Sequence, residues 1–357
     1  MKTNKKYILL SVLFLLAASC NPLKKPLPDG VVKTVNGGTD WQFANTIASS
    51  TTGSLATLDI SKLAFDPQNR QNVFAGSYTG GLYESTDAAA DWKNILSNIY
   101  VYDLAISPQD SKTIYAAGLY ASHGRVLKTS DGGGSWVQIY NEENAADPVR
   151  AIAINPANSS QLVLGTSTGN LVKTSDGGQT WQLVNSFSDQ INRIFWQGGS
   201  IYVLLKTKGL YAVNSTATST NFSELTASLR KSLSSNGYAF TASAVSSFSQ
   251  AFVDTVSQSL IYITTDKGLY KTTDGGAHWT LVNLPVKLGA QVTARAIAVA
   301  QSSSNIVMAS VGSTIYKSAD GGLSWQTQGL TTAGFINYIL IDPQLPQIVY
   351  AGIYSTQ

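Results

Sequence analysis

The feature that most constrains this chain is a nine-residue segment that returns at a nearly fixed interval. Lys128–Trp136 (KTSDGGGSW), Lys173–Trp181 (KTSDGGQTW), Lys271–Trp279 (KTTDGGAHW) and Lys317–Trp325 (KSADGGLSW) are near copies. Lys33–Trp41 (KTVNGGTDW) and Glu84–Trp92 (ESTDAAADW) are degenerate versions. The closing tryptophans are spaced by 51, 44, 45, 98 and 46 residues. The 98 is two periods, so one copy has decayed, leaving a remnant from Gly209-Leu210-Tyr211 to Phe222 without the Asp, Gly and Trp. Periods of this length belong to stacked solenoids and to propellers.

Upstream of each copy lies a second repeating half, an apolar strand that tends to end at Pro or Asn. Its clearest members are Leu63–Pro67, Leu104–Pro108, Ile152–Pro156, Ile297–Val299 and Ile339–Pro343, with Ile194–Trp196 and Ala251–Val253 weaker. There are seven of each half, but they are offset: the chain opens with a turn half and ends with a strand half. Joining Tyr350–Gln357 to Gly30–Thr34 reproduces the continuous run Leu164–Thr174. A solenoid would need caps at both ends, whereas a ring stitched from the two chain ends has no open sheet edge. The expectation is an all-β chain: a single seven-bladed β-propeller of four-stranded antiparallel blades, closed by pairing of the N-terminal strand with the C-terminal blade.

Within a blade the strands run A (the Ile-Ala-Ile type, innermost), B, C and D, with D beginning at the Trp. The repeated segment is then the C–D turn. Its acid or amide (Asn36, Asp87, Asp131, Asp176, Asp274, Asp320) accepts backbone N–H groups, and its glycines supply positive φ. The tryptophans (Trp41, Trp92, Trp136, Trp181, Trp279, Trp325) are expected in the core between strands. One acid per blade cannot form a shared catalytic centre, so these residues are read as structural.

The pattern Ser/Thr-x-Asp-x-Gly-x-x-Trp resembles the Asp-box, or BNR, repeat, and the resemblance covers residues 31–357. Such repeats occur in sialidases, xyloglucanases, sortilin-type receptors and photosystem II assembly factor-like propellers. A single ring behind a lipobox, Leu16-Ala-Ala-Ser-Cys20, is most similar to the last of these. The resemblance implies an extracytoplasmic binding or assembly platform; sialidase- or xyloglucanase-like carbohydrate binding or hydrolysis is the alternative it leaves open.

The N-terminus reads as a targeting segment. Lys2, Lys5 and Lys6 precede an apolar run from Tyr7 to Leu16, followed by Leu16-Ala-Ala-Ser-Cys20. This resembles a lipoprotein signal (1–19), cleaved before a lipidated Cys20, with residues 20–30 as a tether and 31–357 as the propeller. The expected location is the bacterial cell envelope, lipid-anchored on its extracytoplasmic side. Cys20 is the only cysteine, which excludes an internal disulfide or a cysteine metal cluster. The chain has 24 basic and 21 acidic residues. Losing residues 1–19 removes three lysines and no acids, leaving the remainder neutral. A broad polyanion-binding surface is therefore not expected, and no nucleic-acid partner is assigned. With two histidines in the chain, a His-rich metal site is excluded, and no motif implies a cofactor. The partner is expected to be an extracytoplasmic or membrane protein, or a glycan.

Antiparallel alternation puts the A–B and C–D turns on one face and the D–A and B–C loops on the other. The repeated turns occupy the first, leaving the second for ligands. Starts of strand A align as Ser61, Tyr102, Arg150, Asn192, Arg295 and Asn337, with Arg193 beside Asn192. Loops between B and C carry Tyr78, Tyr120 and Tyr354, and an expanded second-blade loop holds His123 and Arg125. Tyrosine with arginine is the composition of protein-interface hot spots and of anion or glycan sites. No catalytic residue is assigned. A hydrolase would need a carboxyl pair, for which Asp59, Asp103, Asp147, Asp189 and Asp266 are the loop-face candidates. A Ser/Thr/Ala-rich insertion at about 215–250, assigned to blade five, carries Leu225, Leu229 and Leu233 at helical spacing. It is read as surface decoration or as a docking element.

Overall fold

The short alternating strands, rich in Val, Ile, Tyr and Thr, assemble into seven separate four-stranded antiparallel sheets. The structure is a computed structural model that describes residues 30–48, 53–215, 221–235, 245–286, 293–330 and 332–355. The expected signal segment, Cys20 and all of the tether but Gly30 lie outside the described residues. In blade one, strands A to D are Ile60–Phe65, Val73–Ser77, Gly81–Ser85 and Lys93–Leu96. Blades two to six follow the same A-B-C-D order in sequence. Blade seven takes Phe335–Ile341 and Val349–Tyr354 from the C-terminal end and Val31–Thr34 and Gln42–Phe43 from the N-terminal end. The join is in register, with Val31 opposite Gly352 and Thr34 opposite Val349. Each A strand packs against the A strands of both neighbouring blades, closing the circle. The core is likewise divided by seven: seven apolar clusters, each filling one interface between adjacent blades.

The repeated turn is rigid through hydrogen bonds that its own residues supply. In blade three the Thr174 hydroxyl donates to Asp176 Oδ1 (2.6 Å) and accepts from the amide of Gly178 (3.1 Å). Asp176 then accepts from the amide and hydroxyl of Thr180. Equivalent sets occur around Asp131, Asp274, Asp320, Asp87 and Asn36. Gly177 (φ 74°) and Gly178 (φ 97°) sit in the left-handed region that glycine enters freely. In blade one Ala88 (φ 59°) and Ala89 (φ 68°) hold those same positions despite their Cβ atoms. The next amide ties the turn to the A–B turn beside it: Gly177 N–H donates to Ser160 O, and Ala88 N–H to Gln71 O.

Two features differ from the sequence reading. Only Trp92 is fully buried; the other five turn tryptophans are half-buried. The reason lies in what their indoles do. Trp92, Trp136, Trp181 and Trp279 each donate Nε1–H to a carbonyl of the preceding blade or its connection: Ala44, Ile95, Ile139 and Leu225. Trp41 and Trp325 instead bond back to Gly38 and Gly322 of their own turns. Four of the six tryptophans are thus clasps between blade rims, and strand D begins one residue after the Trp, at Gln182 in blade three and Thr280 in blade five.

The insertion also lies earlier than its assignment to blade five. It begins in the C–D turn of blade four, whose strand D is the short Ser223–Glu224, and continues into the connection before blade five. Phe222, in the place of the missing Trp, meets Phe187 edge-on at 5.0 Å between ring centroids. Helix Ala227–Ser235 follows. Its Leu229 is buried in the cluster between blades four and five, and Leu225 packs beside it. The described part of the insertion therefore completes a blade interface. Residues 216–220 and 236–244 lie outside the described residues.

Candidate functional site

Every one of the seven A strands carries a β-bulge near its start. The ladder skips from Ile60 to Lys62, Val101 to Asp103, Val149 to Ala151 and Ile191 to Arg193. It skips from Phe248 to Ala251, Ala294 to Ile297 and Ile336 to Tyr338 in the remaining blades. The unpaired residues include Ser61, Tyr102, Arg150, Asn192, Arg295 and Asn337, the same positions that align in the sequence. A bulge re-aims the side chain it leaves unpaired, so the ring has seven stations at one level, and the residue type decides what each does.

Four stations stitch the ring. Ser61 Oγ donates to Val101 O (2.6 Å), Asn192 Nδ2 to Phe248 O (2.6 Å) and Asn337 Nδ2 to Ile60 O (3.3 Å), each reaching the next blade. Asn337 is thus structural. In the blade-five station, Gln250 donates to Asn337 O and accepts from the Ile297 amide.

The other stations are built differently. The Arg150 guanidinium lies 4.3 Å from the centroid of the Tyr102 ring. Tyr102 meets Tyr78 edge-on at 5.1 Å, and Tyr78 meets Tyr354 edge-on at 5.8 Å. The result is a continuous strip, Tyr354–Tyr78–Tyr102–Arg150, crossing blades seven, one, two and three on the loop face. All four are half-buried. Among the described residues, none of the three hydroxyls and no guanidinium nitrogen of Arg150 has a hydrogen-bond partner, so their donors are available to a ligand.

The remaining candidates do not join this strip. Arg295 stacks on Phe335 (4.5 Å) in blades six and seven. Arg193 faces Tyr338 (5.7 Å) deeper in the central channel. Tyr120 and His123 flank the tip of a two-residue hairpin in blade two, where Ala121 and Ser122 both have positive φ. There Arg125 covers Tyr120 (5.1 Å) and donates to Gln138, and His123 Nδ1 lies 3.1 Å from Ala121 O.

The five loop-face acids are engaged in fixing local structure. Asp147 accepts from the Ser167 hydroxyl and from the amide and hydroxyl of Thr168, tying a D–A loop to a B–C loop. Asp189 does the same with Thr207 and Lys208, and Asp59 accepts from the Ser355 amide. Asp266 accepts from Ser246 and Ser247; burial works to raise its pKa, and these donors outweigh it, keeping the pKa below the ordinary value. Asp103 is buried, pairs with Lys62 (2.8 Å) and accepts the Ile152 amide of the next blade.

Two features were not read from the sequence. The first is the role of the turn lysine. Lys33, Lys271 and Lys317 donate Nζ to carbonyls of the next blade's turn, at Ala88, Gly321 and Gly37, and Lys173 reaches Ser215 O. Its repetition was visible, but its partner lies one blade away. The second is a cavity of about 970 Å³ on the turn face between blades seven and one. Ala88 of a repeated turn lines it, together with Gln68, Arg70, Asp342 and Gln344. The expectation that the turns stand away from any pocket is therefore corrected: the A–B loops of these two blades splay around the mouth of the central channel, held by the Arg70–Asp342 ion pair (2.6 Å).

The fold and its ring of stations define the class, a single seven-bladed β-propeller. No protein-family model matches the chain, and no curated protein is detectably similar to it. Among solved structures it is similar to the GH74 xyloglucanase from Xanthomonas campestris, with TM-score 0.63 and 17% identity over 93% of this chain and 52% of that one. The chain thus spans about half the length of that enzyme. It is also similar to YCF48 from Cyanidioschyzon merolae (TM-score 0.62, 14% identity, 83% of this chain and 96% of that one). A third similar structure is YCF48 bound to D1 peptide (TM-score 0.59, 16% identity, 84% and 93%). Identities this low establish the common fold and leave function to the site.

Proposed function

We propose that this protein is a binding platform that engages an extracytoplasmic protein segment through the loop face, with the strip Tyr354–Tyr78–Tyr102–Arg150 as its anchor. The observation that carries this reading is the convergence of three tyrosines and one arginine from four blades, with no hydrogen-bond partner among the described residues for any of their side-chain polar atoms. Such residues are rigid, amphipathic and rich in hydrogen-bonding capacity, the combination that dominates binding energy in protein interfaces. Export and lipid attachment at Cys20 belong to the same proposal and are supported by the N-terminal sequence pattern. One of the similar structures is a propeller bound to a peptide, which fits this mode of use.

Affinity capture with the chain from Asn21 onward tests the reading. Specific extracytoplasmic or membrane proteins should be recovered, and Tyr102→Ala with Arg150→Ala should abolish their recovery while leaving the fold intact. Equal recovery by that double variant would remove the strip from the proposal.

A second reading, glycan binding, uses the same strip, since tyrosine rings stack on sugar faces; a glycan array on the same two proteins separates the cases. Hydrolysis is favoured less, because its five candidate carboxylates already hold strands and loops in place.

A further inference from the structure

The seven A strands contain five charged residues: Lys62, Arg150, Arg193, Arg295 and Asp103. Four are cationic and one is anionic, although the chain beyond residue 19 has 21 basic and 21 acidic residues in all. Two of them meet well inside the ring. Lys62 Nζ lies 5.4 Å from the centroid of the Tyr338 ring and Arg193 Cζ lies 5.7 Å from it. Lys62 is neutralised by Asp103 at 2.8 Å. The Arg193 side chain has no carboxylate partner and no hydrogen bond among the described residues, and the Tyr338 hydroxyl has no hydrogen bond among them either. Burial and Arg193 both act to lower the Lys62 pKa; Asp103 and Tyr338 outweigh them and hold it above the ordinary lysine value, so this cation stays charged. An unpaired, half-buried cation facing a cavity is a ready partner for an anion.

Lys62, Arg193 and Tyr338 line a cavity of about 250 Å³, with Gln197, Gln250 and Gln301 on its walls. Gln197 Oε1 is buried without a hydrogen-bond partner, whereas Gln250 is fully engaged. The cavity shares Lys62, Gln301 and Tyr338 with the 970 Å³ cavity on the turn face. Together they form a funnel of ligand-pocket size that is wide between blades seven and one and ends at Arg193. It opens on the face opposite the aromatic strip.

We infer that this funnel is a second binding site, for a small polar molecule carrying a carboxylate or phosphate group. The oxyanion sits between Arg193 and the Tyr338 hydroxyl, next to the Lys62–Asp103 pair, and accepts hydrogen bonds from both. A hydroxyl or N–H on the body of the molecule satisfies Gln197. The inference does not rest on the proposed protein-binding face.

Isothermal titration calorimetry on the purified protein tests it, with inorganic phosphate and glucuronate as the two anions and glucose as the neutral control. At least one anion should bind, glucose should not, and which anion binds assigns the group. Arg193→Gln should weaken binding about tenfold or more, the scale of a lost charge-assisted hydrogen bond. Arg193→Lys should retain much of it, and Tyr338→Phe, which keeps the ring, should cost several-fold. Arg150→Ala should leave it unchanged, which separates this site from the strip. Absence of heat with both anions, equal binding of glucose, or unaltered affinity in Tyr338→Phe and Arg193→Gln would overturn the inference.

Discussion

On the turn face, six blades repeat one hydrogen-bond pattern, four lysines reach the next blade's turn, and the turn carboxylates are saturated by their own neighbours. On the loop face the seven bulge stations also share a backbone device, yet the side chains differ from blade to blade. Four bond to the adjoining blade; Tyr102 and Arg150 stack and keep their donors free. Repetition therefore marks the parts that hold the ring, because every blade interface needs the same bond. A recognition site has to break the repeat, since a ligand meets the ring on one side.

The comparison can be tested by substitutions on each side. The largest effect is expected for Trp92→Ala, which empties a fully buried site and removes the clasp to Ala44 O (2.7 Å). About 3–5 kcal/mol of stability should be lost in chemical denaturation. Trp325→Ala should lose clearly less, because its indole is half-buried and bonds only to its own turn. Equal losses would show that the turns are not ranked by their inter-blade bonds.

Next in size, Arg150→Ala should reduce partner affinity by about 2 kcal/mol, the scale of an interface hot spot, with little change in thermal midpoint. A large drop in stability with unchanged binding would move Arg150 to the structural side.

Acid should act on the turn face selectively. The carboxyls of Asp131, Asp176 and Asp320 are held well below the ordinary range, chiefly by the hydroxyls of Thr129, Thr174 and Ser324, and that of Asp274 chiefly by the His278 amide. A depressed folded-state pKa adds stability above the unfolded value of about 4, and that increment is lost as pH falls below it. The thermal midpoint should hold from neutral pH to about pH 5 and decline below pH 4. Asp176→Asn, which copies the Asn36 turn of blade seven, should make that decline shallower in a thermal scan across pH.

The smallest effect should come from Ala88→Gly. Relieving a Cβ at φ 59° should raise stability by about 1 kcal/mol, without touching partner binding. A loss of stability would mean that the Ala88 methyl packs more than it strains.

Blade number, offset closure and turn chemistry were legible because each is written in sequence-local residues: a Ser or Thr, an Asp and two Gly within five positions. The alignment of Ser61, Tyr102, Arg150, Asn192, Arg295 and Asn337 was legible too, as a level in the ring. Which of them would be spent was not. Asn337 and Arg150 occupy equivalent positions, and only the distance to Ile60 O or to the Tyr102 ring tells them apart. The lysine ties and the funnel were hidden for the same reason. Lys33 and Ala88 are far apart in sequence, and Gln68 and Gln344 meet only because the first and last blades are neighbours.

The pairing of Val31–Thr34 with Val349–Gly352 has a further consequence for how the molecule comes into being. Until Tyr350 has been delivered, the opening strand has no mate, so six sheets can mature while the seventh waits for both of its halves. Assembly then finishes as a keystone is set, late and across nearly the whole chain, a long-range event that topology makes slow. A partner that grips Tyr354 and Tyr78 at once would bridge the closing blade and blade one, and would hold the keystone in place as it binds.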